Sequence, residues 1–136
     1  MTTTSRLAEI RRRFTESAPT TALVQSVGQR PVTKVCGLSG SADAFAIATL
    51  AHKSGRAIVV ITEQADSAHD LYDDLAFLLS PQKVGLFPAR QILPYDFRAP
   101  VGEIMGQRLS TLSRLLDGDV QVVVNGPVST FANGVG

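Results

Sequence analysis

The 136-residue chain has no run approaching the ~20 consecutive apolar residues of a membrane-spanning helix. Its first residues, MTTTSRLAEIRRRF, lack the apolar core of a secretory signal. Both absences point to the cytoplasm. Cys36 is the single cysteine, so no internal disulfide can form, which agrees with a reducing compartment. We read Cys36 as a buried strand residue. An excess of one charge is missing as well: the formal net charge is +1, and no general electrostatic attraction to nucleic acid or acidic membranes follows from it. Internal repeats and low-complexity tracts are absent. What is there describes one globular domain: 44% apolar and 18% charged residues exclude a disordered tail, and the length excludes a two-lobed motor.

Within residues 5–16, Leu7, Ile10 and Phe14 fall at i, i+3 and i+7, the spacing of one helix face. Arg11, Arg12 and Arg13 follow. Cations near a helix C-terminus complement its dipole, so the triplet is read as a solvated face in preference to a DNA contact. Pro19 and a Thr-rich step separate a second helical segment over 21–27, and residues 1–30 together are expected to form a helical N-terminal arm.

From Pro31 onward, to residue 136, strand and helix alternate. Short apolar runs at 32–36, 57–62, 84–87 and 120–124 predict strands, with helical segments between them. Strands that are apolar on both faces predict a parallel sheet covered by helices on both sides, an α/β class. The helix after Gly40 carries Ala42, Ala44, Phe45, Ala46, Ile47, Ala48, Leu50 and Ala51 nearly all round, which predicts burial against the sheet. Residues 64–79 are amphipathic: Ala68, Leu71, Tyr72, Leu75, Leu78 and Leu79 form one face, and Asp66, Asp70 and Asp73 another. His69 beside those acids is read as an i, i+4 surface partner of Asp73, not as a metal ligand. Residues 101–116 place Met105, Leu109, Leu112 and Leu116 at i, i+4, i+7 and i+11, a stripe expected to pack. Between the third and fourth strands, FPARQILPYDFRAP holds Pro88, Pro94 and Pro100, too much proline for a helix; with Arg90, Tyr95 and Asp96 it is read as a stiff crossing.

The stretch GLSGSADA, residues 37–44, has the punctuation of a phosphate-binding loop, G-x-x-x-x-G-K-[ST], between a predicted strand and a predicted helix. Aligned on Gly37, with Ser39, Gly40 and Ser41 inside the loop, the second glycine is Ala42, the lysine is Asp43, and the Mg²⁺-binding hydroxyl is Ala44. An ammonium and a phosphate charge about 4 Å apart attract by on the order of 4 kcal/mol at an effective dielectric of 20. Turning that attraction into repulsion removes roughly 8 kcal/mol, as much as micromolar binding represents. The loop is therefore read as a P-loop shape without its ligand. Two other readings stand beside it. A plain glycine turn joins strand to helix in many α/β folds, and GLSGS nearly matches the G-x-S-x-G nucleophile elbow with Ser39 as nucleophile. Position 41 is Ser, and His52 and His69 precede any late loop, so the order Ser, acid, His is hard to complete.

The segments GLSGSADAFAIATLA, RAIVVITEQADSAHDLYDDLAFLL, VGLFPARQILPYDFRAPVGEIMGQRLSTLSRLL and VVVNGPVSTF resemble the amino-terminal region of the bacterial transcription-repair coupling factors (Mfd). More distantly they are similar to the first domain of the excision-repair protein UvrB. FPAR, LPYD and GQRL, in that order, carry the specificity. The resemblance implies a P-loop NTPase, RecA-like, fold with a degenerate nucleotide loop, and a non-hydrolytic scaffold in transcription-coupled nucleotide excision repair. It implies no cofactor in this chain, with ATP and Mg²⁺ confined to motor domains of a parent protein. Expected partners are the parent's other domains, UvrA through an adjacent domain beyond this sequence, and RNA polymerase and DNA through the parent. No membrane partner is expected. The alternative is a UvrB-like, ATP-dependent DNA repair or helicase fragment.

Overall fold

Leu7 and Phe14 put one side of the N-terminal segment inward, and Ala44, Ala46, Ala48 and Ala51 give another segment a surface that neighbours can approach closely. In a computed structural model, which describes residues 3–88 and 101–126, these become parts of one of two units, Met1–Gly55 and Arg56–Gly136. The first unit is helical: α1 (Thr3–Glu16), α2 (Ala18–Gln29) and α3 (Ala42–Ser54) pack on one another. Pro19 lies in the first turn of α2, where a missing N–H costs nothing. Ser17 makes the corner, donating from Oγ to the Phe14 carbonyl at 2.7 Å and sitting 2.9 Å from Oγ1 of the buried Thr20. Phe14 meets Phe45 of α3 at 5.5 Å between ring centroids, a tilted aromatic contact of the favoured kind. Gly55, left-handed at φ 63°, ends α3.

The second unit is α/β. Its strands are β1 (Ile58–Ile61), β2 (Val84–Phe87) and β3 (Val122–Asn125), all parallel in the order β1-β3-β2. Helices α4 (Ala65–Leu79) and α5 (Val101–Leu116) make the crossovers, and a 3-10 turn, Pro81–Lys83, leads into β2. The chain passes over β3 on the way to β2 and then comes back. Two right-handed crossovers in opposite directions place α4 and α5 on opposite faces of the sheet. Register identifies the faces: Val59, Val123 and Gly85 are level with one another, and a Cβ on Gly85 would lie 2.7 Å from Thr111 Cγ2, so all three look toward α5. Ile58, Val60, Val84, Leu86, Val122 and Val124 belong to the α4 side, where Ala68, Leu75 and Leu78 are buried. Thr62 closes the end of β1, its N–H and Oγ1 both 3.2 Å from the Asn125 carbonyl.

Three expectations need correction. Residues 32–36 form no strand; Val32 is 81% exposed and Val35 and Cys36 are also exposed, because a strand exists only where a second backbone pairs with it. Within its unit, α3 packs on α1 and α2. The sheet is not covered evenly: β2 and β3 are buried, whereas Val59 and Ile61 of β1 are 60% and 68% exposed. On α5 the leucine stripe does not pack. Leu109, Leu112 and Leu116 are exposed, and the side facing the sheet is Arg108 and Thr111, the latter buried and donating to the Leu86 carbonyl at 3.0 Å. Gly85 explains this: by leaving room over β2 it lets the small, polar Thr111 sit closest. The crossing at 89–100, with Arg90, Tyr95 and Asp96, lies outside the described residues.

Candidate functional site

Gly37 and Gly40 take left-handed conformations, φ 82° and 59°, that only glycine adopts without strain. Nothing lies within 4 Å of where their Cβ atoms would be, so these glycines serve the turn and not a close approach. The chain then enters α3. The Ala42 N–H donates to the Ser39 carbonyl at 3.1 Å, the Phe45 N–H to the Ser41 carbonyl at 3.2 Å, and Ser41 makes no side-chain cap. Residues 37–41 and Asp43 are exposed, Ala42 is half-buried, and Ala44 is completely buried.

That placement has chemical consequences. Asp43 stands in the first turn of α3 and sets its carboxylate against the positive end of the helix dipole, where an anionic ligand would otherwise gain. Ala44, which the sequence aligns with a metal-binding hydroxyl, is completely buried. With residues 32–36 unpaired, the loop has a helix after it and no strand before it. The order strand, loop, helix that a phosphate cradle requires is therefore only half present in the described residues.

Arg12 donates to Glu9 at 2.9 and 3.1 Å and to Glu16 at 2.8 Å, and Arg13 donates to Glu9 at 2.8 Å. Hydrogen bonds from Arg12 and Arg13 hold the Glu9 carboxyl at a pKa of about 2, well below its ordinary 4.5, and the bond from Glu9 raises Arg12. Two of the three arginines are thus balanced along α1 itself. Among the described residues no three His, Cys, Asp or Glu side chains come together as a metal site, and His69 and Asp73 form no ion pair. No hydrogen bond joins Ser39 to a histidine, so no nucleophilic pair is assembled. Among the described residues no helix is long and apolar enough to cross a membrane.

Sequence reasoning missed a connection between two motifs. Arg108 of GQRL lies over the Phe87 ring of FPAR, its Cζ 4.0 Å from the centroid, and donates from Nη1 to the Pro88 carbonyl at 2.8 Å. The segments that look most distinctive in the sequence meet at the end of β2. Nothing in their spacing announces it, since position 108 reads as one more polar residue of an amphipathic helix.

No family model matches the chain, and no solved structure matches it significantly. Curated proteins do. It is 32% identical over 90 residues to a transcription-repair-coupling factor of Bacillus subtilis (strain 168), covering 66% of this chain and 8% of that protein. To that of Haemophilus influenzae it is 38% identical over 90 residues, again 66% and 8%. To that of Rickettsia bellii it is 31% identical over 71 residues, 52% and 6%. The chain spans less than a tenth of the length of these relatives. Over that stretch, it carries a region related to the transcription-repair-coupling factors.

Proposed function

We propose that the chain is a non-hydrolytic scaffold module of a transcription-repair coupling factor, acting in transcription-coupled nucleotide excision repair. In this reading it supports an adjacent UvrA-recruiting domain and packs against the rest of a parent protein. RNA polymerase and DNA are engaged by that parent, and ATP and Mg²⁺ belong to the parent's motor domains. The observation that carries the reading is Asp43: a carboxylate occupies the first turn of α3 where phosphate chemistry needs an ammonium, and the neighbouring Ala44 offers no oxygen to a metal. Kinship to proteins named as transcription-repair-coupling factors supplies the biological setting.

Phosphate release from MgATP, with and without single-stranded DNA, tests the hydrolytic part. The chain is expected to release none above the uncatalysed background. Turnover that Asp43→Ala abolishes would move the chain to the UvrB-like, ATP-dependent class.

A further inference from the structure

Ser80 joins α4 to the 3-10 turn Pro81–Lys83 at φ 122° and ψ 150°, a region that L side chains avoid and that is essentially reserved for glycine. Wherever else the described backbone turns to positive φ, the sequence supplies glycine: Gly37, Gly40, Gly55 and Gly118. At position 80 it does not. The Ser80 side chain forms no cap with the turn that would offset the cost. Pro81 adds to it, because a residue before proline is confined to extended backbone at negative φ.

Such a conformation persists only where the surroundings impose it. The Ser80 N–H donates to the Ala76 carbonyl of α4 at 3.1 Å, and the Ser80 carbonyl accepts from the Lys83 N–H at 3.1 Å. The two peptide planes that meet at Ser80 are thus tied to different elements. The Lys83 carbonyl in turn accepts from the Gln121 N–H at 2.7 Å, where β2 and β3 begin. Across the turn, Arg114 of α5 donates from Nη2 to the carbonyls of Pro81, at 3.3 Å, and of Gln82. The bonds from Arg114 are exposed, so water replaces them at little net cost.

We infer that residues 80–83 form a sprung latch: Ser80 stores strain in the closed state, Arg114 holds the latch shut, and its release lets the turn relax away from α5 while the sheet stays paired. Local opening of this kind lies below global unfolding in free energy. A cleft of about 750 Å³, lined by Pro81, Gln82, Lys83, Arg114 and Asp119, gives the relaxing turn room. The first backbone bond to feel the release is that from Gln121 to Lys83. The corner is thereby a built-in point of conformational change at the end of the sheet where the strands start.

Amide hydrogen exchange of the full chain, read residue by residue by NMR, tests this. Ser80→Gly removes the strain and should slow exchange at Lys83 and Gln121 by at least about threefold relative to Ser80→Ala, which keeps the Cβ. Glycine's greater freedom in the open turn works against that slowing, so the difference is a lower bound on the strain. Arg114→Met keeps the aliphatic stem and removes the donors. It should speed exchange at the same two amides by at least about fivefold while leaving β3 within about twofold of the parent. Combining the two substitutions should bring Lys83 and Gln121 back toward the parent rates. Ser80→Gly that exchanges as fast as Ser80→Ala shows an unstrained corner and overturns the inference. So does Arg114→Met that leaves Lys83 and Gln121 unchanged, or that speeds β3 equally, since the corner would then open only with the sheet.

Discussion

At the scale of single residues, charge sets the local partners within α1. In the arginine triplet, Arg12 and Arg13 pair with Glu9 and Glu16, one helical turn away. A pH dependence follows. Glu9 has a folded-state pKa of about 2, below its ordinary 4.5, so its contribution to α1 is complete above pH 4.5 and is lost as pH falls toward 2. Circular dichroism at 222 nm should show helix loss across that window, and Glu9→Gln should remove the part of the acid transition that belongs to α1. Identical acid titrations of the two proteins would contradict the assignment. The pairing was latent in the sequence, since Glu9, Arg12, Arg13 and Glu16 stand at i, i+3, i+4 and i+7. Asp43 was equally legible, because a change of charge sign needs no fold to be noticed. The inward turn of Ala44 was not, since it depends on which side of α3 meets α1 and α2.

Elements follow the periodic signal closely where that signal is local. The limits read for β2 and α5, 84–87 and 101–116, are those of the structure. The 32–36 run failed for the opposite reason: its apolar residues give it a strand's composition, and composition does not provide a partner. Leucine spacing on α5 likewise gave a stripe but no direction. Direction comes from Gly85, which brings Thr111 down onto β2 and turns the leucines aside. Adding a methyl there should cost about 1–3 kcal/mol through overpacking. We expect Gly85→Ala to lower the melting temperature, and Thr111→Ser, which removes the Cγ2 that a Cβ on residue 85 would meet at 2.7 Å, to recover much of the loss in the double variant. Additive costs in that double-mutant cycle would mean that the two residues do not touch.

For the molecule as a whole, the glycine turn and the sheet fall in different units. Strand and helix alternate over 56–126, while the glycine turn belongs to the helical unit and is followed by Asp43. The chain is related to one short stretch of much longer coupling factors. The α/β class was readable from the order of the segments, whereas the uneven cover of the sheet was not, because it depends on crossovers that bring β3 between β1 and β2. The most direct test is a calorimetric titration of the chain with MgATP. The charge at Asp43 predicts no heat of binding up to about 1 mM nucleotide. Saturable micromolar binding that requires Mg²⁺ would contradict it.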